Sequence, residues 1–246
     1  MASRLCLRSF RSTSSSSPFL IRQSAFTPCI SITQLSRFSN SSEQKSISFE
    51  SRPAQKPLSL AQREYLDRAL RVNQAGELAA VLIYDAQTPP IVRAHPHLKS
   101  LMKHMYDQEA SHFKIFNELV ARHRIRPTIM YPVWRMAATA LGWSTAIMGR
   151  EAAMACTEAV ETEIGQHYNQ QVQTLLQWEQ DVEKSGGEVS VEMKELLGTL
   201  RRIRDEELEH LDHAVEHDAK EAKPYELLTG VIRTGCRAAI WISERV

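Results

Sequence analysis

The chain has 246 residues, with 30 Lys and Arg against 29 Asp and Glu, a formal net charge of +1 at pH 7 and 43% apolar residues. A chain of this length and composition can bury one substantial core, and collagen-like or wholly disordered proteins are excluded. Nucleic-acid binders normally carry a clear basic excess, so the near-zero charge predicts no nucleic-acid partner.

Residues 1–42 differ in composition from the rest of the chain. They contain five Arg and thirteen Ser but no Asp or Glu. This composition is typical of a mitochondrial transit peptide, whereas a secretory signal needs a longer unbroken apolar stretch. We therefore predict a transit peptide at 1–42, a linker at 43–58 and a folded domain at 59–246. A disordered tail is the alternative interpretation of the N-terminal segment.

From Ser59 onward, apolar residues recur at three- and four-residue spacing, which predicts an all-α domain. The first helix begins with a capping-box pattern of Ser59 and Gln62 and should end before the sequence Thr88-Pro89-Pro90. In chain order, the six predicted helices cover about 59–87, 96–124, 132–148, 151–183, 189–220 and 224–246. Four are long enough to form a four-helix bundle, while the third and sixth differ in composition.

The second and fifth helices share the pattern Asp-x-Glu-x-x-His, at 107–112 and at 205–210. A carboxylate and an imidazole three residues apart lie on one helix face, so both can bind one metal ion in the bundle core. A single such pair often arises by chance on a solvated surface. Two copies in the same register on separate helices are much stronger evidence for a metal site.

Each remaining bundle helix should supply one more Glu. The first helix offers Glu77. The fourth helix offers Glu158, Glu161 and Glu163. Tyr84 follows Glu77 by seven residues and Tyr168 follows Glu161 by seven, which places each Tyr on the same side of its helix as its Glu. This repetition favours Glu161 and leaves Glu158 open as an alternative.

The candidate ligand set balances electrically. Four Glu carry four negative charges, two divalent ions carry four positive charges, and two neutral His add none, which lowers the cost of burying the site. Oxygen-rich ligation with one imidazole per metal suits iron or manganese better than structural zinc. Glu109 and Glu207 would bridge the metals, whereas Glu77 and Glu161 would be terminal ligands.

Further polar residues lie close to these ligands in sequence. Asp107 and Asp205 occupy matching positions and are candidates for orienting the ligand histidines. The alternative, equally supported, is that both are ordinary surface residues. Tyr84, His167 and Tyr168 are candidates for a proton and electron relay or for substrate contact. Packing side chains with a polar group are about as common.

Six stretches of the sequence resemble one known family. They are RVNQAGE at 71–77, DQEASH at 107–112, EAAMACTEAVE at 151–161, HYN at 167–169, DEELEH at 205–210 and GCRAAIWISERV at 235–246. From about residue 62 to 246, the chain closely resembles the mitochondrial demethoxyubiquinone hydroxylases, a branch of the ferritin-like di-iron carboxylate proteins. The resemblance implies a ferritin-like four-helix bundle with a di-iron core and two additional helices.

The same resemblance implies a ligand set and a reaction. The iron ligands would be Glu77, Glu109, His112, Glu161, Glu207 and His210. The expected reaction is hydroxylation of a polyprenylated demethoxy-benzoquinone by O2, late in ubiquinone (coenzyme Q) synthesis, with NADH as the ultimate reductant. The expected partners are the quinone, O2 and a lipid-binding accessory protein within a biosynthetic complex.

The third and sixth predicted helices indicate how an apolar substrate could arrive. Residues 129–148 hold a single charge, Arg135, but Pro132 leaves only about sixteen residues for helix, and a bilayer span needs about twenty. The sixth helix sets Arg233, Arg237 and Trp241 among apolar residues, as in helices that lie in a membrane interface. We therefore predict peripheral attachment to the matrix side of the mitochondrial inner membrane. The alternative is packing on the bundle or in a homo-oligomer.

Three functions from different classes are consistent with these features: a di-iron monooxygenase, an iron-oxidising or storage bundle, and a metal-free lipid-binding scaffold. A storage bundle needs a polar exterior that closes into a cage, and a metal-free scaffold has no need for two registered Glu-x-x-His pairs. The monooxygenase is therefore favoured. The sequence contains no Gly-x-Gly-x-x-Gly motif, so its electrons should come from another protein or molecule.

Overall fold

The computed structural model describes residues 58–246, and within them every regular element is helical. The predicted transit peptide and nearly all of the predicted linker lie outside the described residues. The helices are α1 (Leu60–Ala94), α2 (Lys99–Arg122), α3 (Tyr131–Met148), α4 (Arg150–Lys184), α5 (Val191–Glu216) and α6 (Tyr225–Ser243). Short 3-10 turns cover Pro96–Leu98 and Ala219–Glu221. The all-α prediction is confirmed.

Helix α1 is longer than its sequence suggests. Its start is the predicted capping box, in which the Ser59 hydroxyl accepts from the Gln62 amide at 3.2 Å and the Gln62 side chain accepts from the Ser59 amide at 2.9 Å. The predicted end before Pro89 is wrong, because the helix continues through two prolines to Ala94. Proline removes a backbone hydrogen bond, but burial of Ile91 beyond the prolines stabilises the final turns.

Two apolar clusters define the direction of each bundle helix. The first contains Leu70 of α1, Phe116 of α2, Leu175 of α4 and Leu200 of α5. The second contains Ile91 of α1, Met105 of α2, Met154 of α4 and Ala214 of α5. Along the chain, α1 and α5 therefore run from the first cluster to the second, and α2 and α4 run in the opposite direction.

Helix α3 is the connection that this arrangement requires. Helix α2 ends beside the first cluster and α4 begins beside the second, so the chain must return along the length of the bundle. It returns as α3, which packs against the outside of α1. A four-helix bundle with one long crossover is the ferritin-like topology, and that prediction is also confirmed.

The α1–α3 contact depends on Gly142. A Cβ atom at this position would lie 2.5 Å from the Ile83 carbonyl oxygen and 2.8 Å from the Ile83 Cα. Both atoms belong to the backbone and cannot rotate away. A glycine is therefore needed where α3 crosses α1.

Helix α6 packs along α4 through a buried carboxylate. Glu163 accepts from Arg233 Nε at 2.7 Å, and from Arg237 Nε and Nη2 at 2.8 Å each. Burial would raise the pKa of Glu163, but the hydrogen bonds from the two arginines outweigh it and lower the pKa. Both guanidinium groups therefore hold α6 on α4. Their side chains are still 40% and 59% exposed, so a role of these arginines at a membrane interface stays a prediction.

The third predicted interface residue of α6 is differently placed. Trp241 is 58% exposed, and the Arg245 guanidinium lies 4.1 Å from its ring centroid. Among the described helices, none combines the length and the apolar character needed to cross a membrane.

We expect Gly142→Ala and Gly198→Ala to change stability in opposite directions. Gly198 lies inside α5 with no atom within 4 Å of the position that a Cβ would take, so Ala should raise the free energy of unfolding by about 0.5–1 kcal/mol through helix propensity. Gly142→Ala should lower it by about 1–3 kcal/mol, because α3 must move away from α1. Urea denaturation of both variants checks this, and equal effects would show that the α1–α3 contact tolerates a methyl group.

Candidate metal centre

Six charged or titratable side chains converge between the two apolar clusters. They form two overlapping groups whose potential ligand atoms lie within 4.8 Å of one another in each group. The first group is Glu77, Glu109, His112 and Glu207, and the second is Glu109, Glu161, Glu207 and His210. Each residue is at most 2% exposed. The structure thus brings together all six residues that the sequence singled out, with Glu109 and Glu207 common to both groups.

The imidazoles of α2 and α5 each face a carboxylate of the other helix. His112 Nδ1 lies 3.1 Å from Glu207 Oε1, and His210 Nδ1 lies 2.9 Å from Glu109 Oε1. The two rings are 6.5 Å apart between centroids. Since each Glu also lies three residues before the His of its own helix, each carboxylate reaches both groups and can bridge two metal ions.

Most of the ligand atoms at this centre have no hydrogen-bond partner among the described residues. They are Glu77 Oε2, both carboxylate oxygens of Glu109 and of Glu207, His112 Nδ1 and His210 Nδ1. The short contacts between them lack the angles of hydrogen bonds. A buried polar atom without a partner costs about 1–3 kcal/mol, and a charged one costs more, so seven in one place indicate a site built for cations.

The electrostatics of the centre lead to the same conclusion. Burial raises the pKa of Glu77 and of Glu161, and the nearby charge of Glu207 raises both further. Burial lowers the pKa of His210, but its close contacts with the carboxylates of Glu109 and Glu207 outweigh burial and raise the pKa to about 11. Positive charge is therefore strongly favoured among these carboxylates, and two divalent ions would neutralise all four.

Two tyrosines connect α1 and α4 at the centre. The Tyr168 hydroxyl donates to Glu77 Oε1, and the Tyr84 hydroxyl donates to Glu161 Oε1 at 3.4 Å. Each Tyr lies on the same helix face as the Glu seven residues before it, as predicted, but it contacts the Glu of the opposite helix. Burial, with the charge of the nearby carboxylates, raises the pKa of both tyrosines well above 10, so both remain O–H donors at neutral pH.

The two other glutamates considered on α4 have different partners. Both oxygens of Glu158 accept from the Tyr225 hydroxyl at 2.9 Å, and Lys220 Nζ lies 3.5 Å away. Glu163 is bound by the arginines of α6. Only Glu161 lies with the other ligand candidates, so the structure supports Glu161 over Glu158.

The prediction that two aspartates orient the histidines is wrong. Asp107 pairs with Lys103, and Asp205 pairs with Arg204 at 2.7 Å. The Asp side chains are 54% and 64% exposed. The reason is helix geometry: each Asp precedes a bridging Glu by two residues, which turns it about 200° around the helix and out of the core.

The residues directly before the bridging glutamates take that role instead. His112 Nε2 donates to Glu206 Oε2 at 2.6 Å, and His210 Nε2 donates to Gln108 Oε1 at 2.9 Å. Both contacts cross between α2 and α5, and both leave Nδ1 directed at the centre. A polar residue immediately before each Glu-x-x-His was the sequence signal for these partners. Such contacts fix the tautomer and orientation of a metal-binding imidazole.

His167 differs from its neighbour Tyr168. Burial lowers the pKa of His167 to about 4, and its Nε2 is buried without a hydrogen-bond partner among the described residues. None of the hydrogen bonds described for residues 58–246 joins it to the centre. Tyr168 thus contacts a candidate ligand, whereas the relay prediction for His167 finds no supporting contact.

We expect Glu109→Ala and Glu207→Ala each to remove most of the bound metal. Each carboxylate lies in both ligand groups, so its loss leaves two cations with too little negative charge. Glu118→Ala is the matched control, since Glu118 is an exposed residue of the same helix α2. Metal per chain would be measured by elemental analysis, and wild-type content in both bridging variants would disprove the ligand set.

Glu206→Ala should weaken metal binding by about 10–100-fold, because His112 loses the acceptor that orients its ring. Asp205→Ala is the control, one residue away on the exposed face of α5. Both would be measured by competition with a chelator. Equal affinities for the two variants would mean that the Glu206 contact does not support the site.

The buried His167 gives a prediction of pH dependence. Its pKa is about 4 in the folded chain and 6.5 when unperturbed, so the unfolded chain binds the extra proton as pH falls below neutrality, and stability is lost. His167→Gln removes this proton uptake. We expect its free energy of unfolding to fall less than that of the wild type between about pH 7 and about pH 5. Parallel urea titrations test this, and identical falls would contradict it.

Known proteins are similar in sequence to this chain over most of its length. Residues 64–243 match the family model described as Ubiquinone biosynthesis protein COQ7. The 5-demethoxyubiquinone hydroxylase, mitochondrial, of Saccharomyces cerevisiae is 47% identical over 199 residues, covering 80% of this chain and 85% of the yeast protein.

Animal and bacterial relatives extend the match. The NADPH-dependent 3-demethoxyubiquinone 3-hydroxylase, mitochondrial, of Homo sapiens is 44% identical over 184 residues, covering 75% of this chain and 79% of the human protein. The 3-demethoxyubiquinol 3-hydroxylase of Rhodospirillum rubrum is 41% identical over 181 residues, covering 74% of this chain and 78% of the bacterial protein. With a family match over most of its length and relatives well above 30% identity, the chain belongs to the COQ7 family of ubiquinone biosynthesis proteins.

Proposed function

We propose that the protein is a di-iron monooxygenase that hydroxylates the ring of a polyprenylated demethoxyubiquinone in ubiquinone biosynthesis. The observation that carries the proposal is the buried set of four Glu and two His, which balances two divalent ions and leaves its ligand atoms free of other partners. The relatives named as demethoxyubiquinone hydroxylases supply the substrate and the reaction type. Their names favour this function over an iron-storage bundle or a metal-free scaffold.

The residues of the centre have distinct roles in this proposal. Glu77 and His112 would hold one ion, Glu161 and His210 would hold the other, and Glu109 and Glu207, which belong to both ligand groups, would hold both. The ions, when bound, would supply the activation of O2. One oxygen atom enters the ring C–H bond, and the other leaves as water with two electrons and two protons. Tyr168 and Tyr84 donate hydrogen bonds to the terminal carboxylates and keep them oriented.

An apolar cavity of about 370 Å³ lies between α1, α3, α4 and α6. Gly76 and Val160 line it, and they are the immediate chain neighbours of Glu77 and Glu161. Opposite them, the wall is formed by small and apolar side chains of α3 and α6, such as Ala138 and Ala239. We propose that the quinone enters here, because an apolar cavity beside the ligand-bearing helices suits a prenylated ring.

The outer faces of α3 and α6 are suited to a lipid surface. Exposed apolar side chains recur along α3 at Val133, Met136, Trp143 and Ile147, and along α6 at Leu227, Val231 and Trp241. Their spacing places them in one stripe on each helix. We propose peripheral attachment through these stripes to the matrix side of the mitochondrial inner membrane, the relatives in eukaryotes being named mitochondrial. Cover by a lipid-binding accessory protein or by a second copy of the chain remains the alternative prediction.

Hydroxylation requires two electrons from a reductant outside this chain. The family resemblance implies NADH as the ultimate reductant, but several relatives carry NADPH in their names. We propose an external reduced nicotinamide that acts through a donor outside this chain. Assays with NADH and NADPH in parallel would distinguish the two.

The function is tested with iron-loaded protein, an electron donor, a demethoxyubiquinone and isotopically labelled O2. We expect one labelled oxygen atom in the ring of the product, and no product from Glu207→Ala. Consumption of O2 with oxidation of iron but without labelled quinone would favour the storage function instead.

The cavity is tested by Gly235→Leu, with Gly230→Leu as the matched control. Both glycines lie on α6, and neither has an atom within 4 Å of a Cβ position, but only Gly235 lines the cavity. We expect Gly235→Leu to raise KM for the quinone by about ten-fold, roughly the cost of one misfitting side chain in an apolar pocket, with normal iron content. Equal KM values for the two variants would place the substrate elsewhere.

A further inference from the structure

A second group of metal-ligating side chains lies on the outside of the bundle, where α2 and α5 run side by side. It consists of His104 of α2 with Glu209 and His213 of α5, whose potential ligand atoms lie within 4.8 Å of one another. The group shares no residue with the buried centre. His104 and Glu209 are exposed and His213 is half-buried, so solvent reaches the group directly.

The three side chains point toward a common position. His213 Nε2 lies 3.6 Å from Glu209 Oε1, one turn away on the same helix. The His104 ring approaches from α2 and meets the His213 ring edge to face, with centroids 6.5 Å apart. Two imidazoles from different helices and one carboxylate therefore converge on the outer side of the contact between α2 and α5.

The other nitrogen of His213 also has a partner typical of a metal ligand. His213 Nδ1 lies 3.6 Å from Glu216 Oε2, on the side of the ring away from Glu209. Histidines that bind metal through one nitrogen commonly direct the other at a carboxylate, which fixes the tautomer. A proton on Nδ1, the nitrogen that faces Glu216, would leave the lone pair of Nε2 for an ion between His213 and Glu209.

We propose that His104, Glu209 and His213 form a third metal site, which binds one divalent first-row transition ion such as Fe²⁺ or Zn²⁺. Two imidazoles and one carboxylate suit these ions, and water completes the coordination at an exposed site. Ligand bonds of about 2.0–2.2 Å require donor atoms closer together than 4.8 Å, and the exposed His104 and Glu209 side chains are free to rotate into place.

The site goes beyond the proposed hydroxylation, which needs only the buried centre. An ion bound here links α2 to α5, the two helices that carry the bridging carboxylates. It lies about one helical turn from His210, since His213 follows that residue by three positions. The ion therefore binds next to the buried centre without entering it.

The test uses protein whose buried centre is already loaded with iron and titrates it with Co²⁺, followed by calorimetry and visible absorption. Iron content is measured on the same samples to show that Co²⁺ has not replaced iron. We expect one Co²⁺ per chain in addition to the iron. His104→Ala and His213→Ala should weaken its binding by at least about ten-fold, and Glu216→Gln by about ten-fold.

His97→Ala is the matched control. His97 and His95 also form a close surface pair, with ring centroids 5.9 Å apart, but they belong to none of the ligand groups within residues 58–246. This variant should bind Co²⁺ like the wild type. Absence of the additional Co²⁺, or binding that His104→Ala and His213→Ala leave unchanged, would overturn the proposal. Neither result would affect the assay of hydroxylation, so the two proposals are tested separately.

Discussion

The structure depends on the burial of four carboxylates in the middle of a helix bundle. Carboxylates that close together repel each other and lose the solvation of water, and the pKa values of Glu77 and Glu161 are raised for that reason. Two divalent cations remove both penalties at once. The fold around the centre then follows: apolar clusters close it at both ends, and each bundle helix supplies at least one ligand candidate.

The centre has an approximate two-fold arrangement, because side chains of each bundle helix contact a ligand candidate on another helix. Tyrosines cross between α1 and α4, and outer histidine contacts cross between α2 and α5. Asn73 and Gln171 repeat the pattern, since their side-chain amides exchange hydrogen bonds of 2.9 and 2.8 Å between α1 and α4. Four of the six ligand candidates (Glu77, Glu161, His112 and His210) are thus supported by a helix other than their own, which couples the geometry of the site to the packing of the bundle.

The sequence predicts those features that depend on spacing along one helix. The helical class and the six helices follow from periodicity, and two registered Glu-x-x-His pairs predict four of the ligand candidates. Spacing favoured Glu161 but left Glu158 open, and the ferritin-like topology and the complete ligand set were implied by the family resemblance. Features that depend on packing between helices could not be predicted in the same way. The prolines of α1 predict that the helix ends there, but it continues because Ile91 is buried. The arginines of α6 hold that helix on α4 through Glu163, a contact between two helices that spacing along one helix does not show. The cavity likewise joins four helices that are distant in sequence.

The outer contacts of the two histidines make the two halves of the centre electrically unequal. His112 donates to a carboxylate, whereas His210 donates to the neutral amide oxygen of Gln108. Burial would raise the pKa of Glu206, but His112 and Arg202 lower it, so this carboxylate stays ionised. A negative charge behind the imidazole makes it the more electron-rich ligand. An ion held by His112 would therefore have one more negative charge nearby than an ion held by His210, although the two ligand sets match.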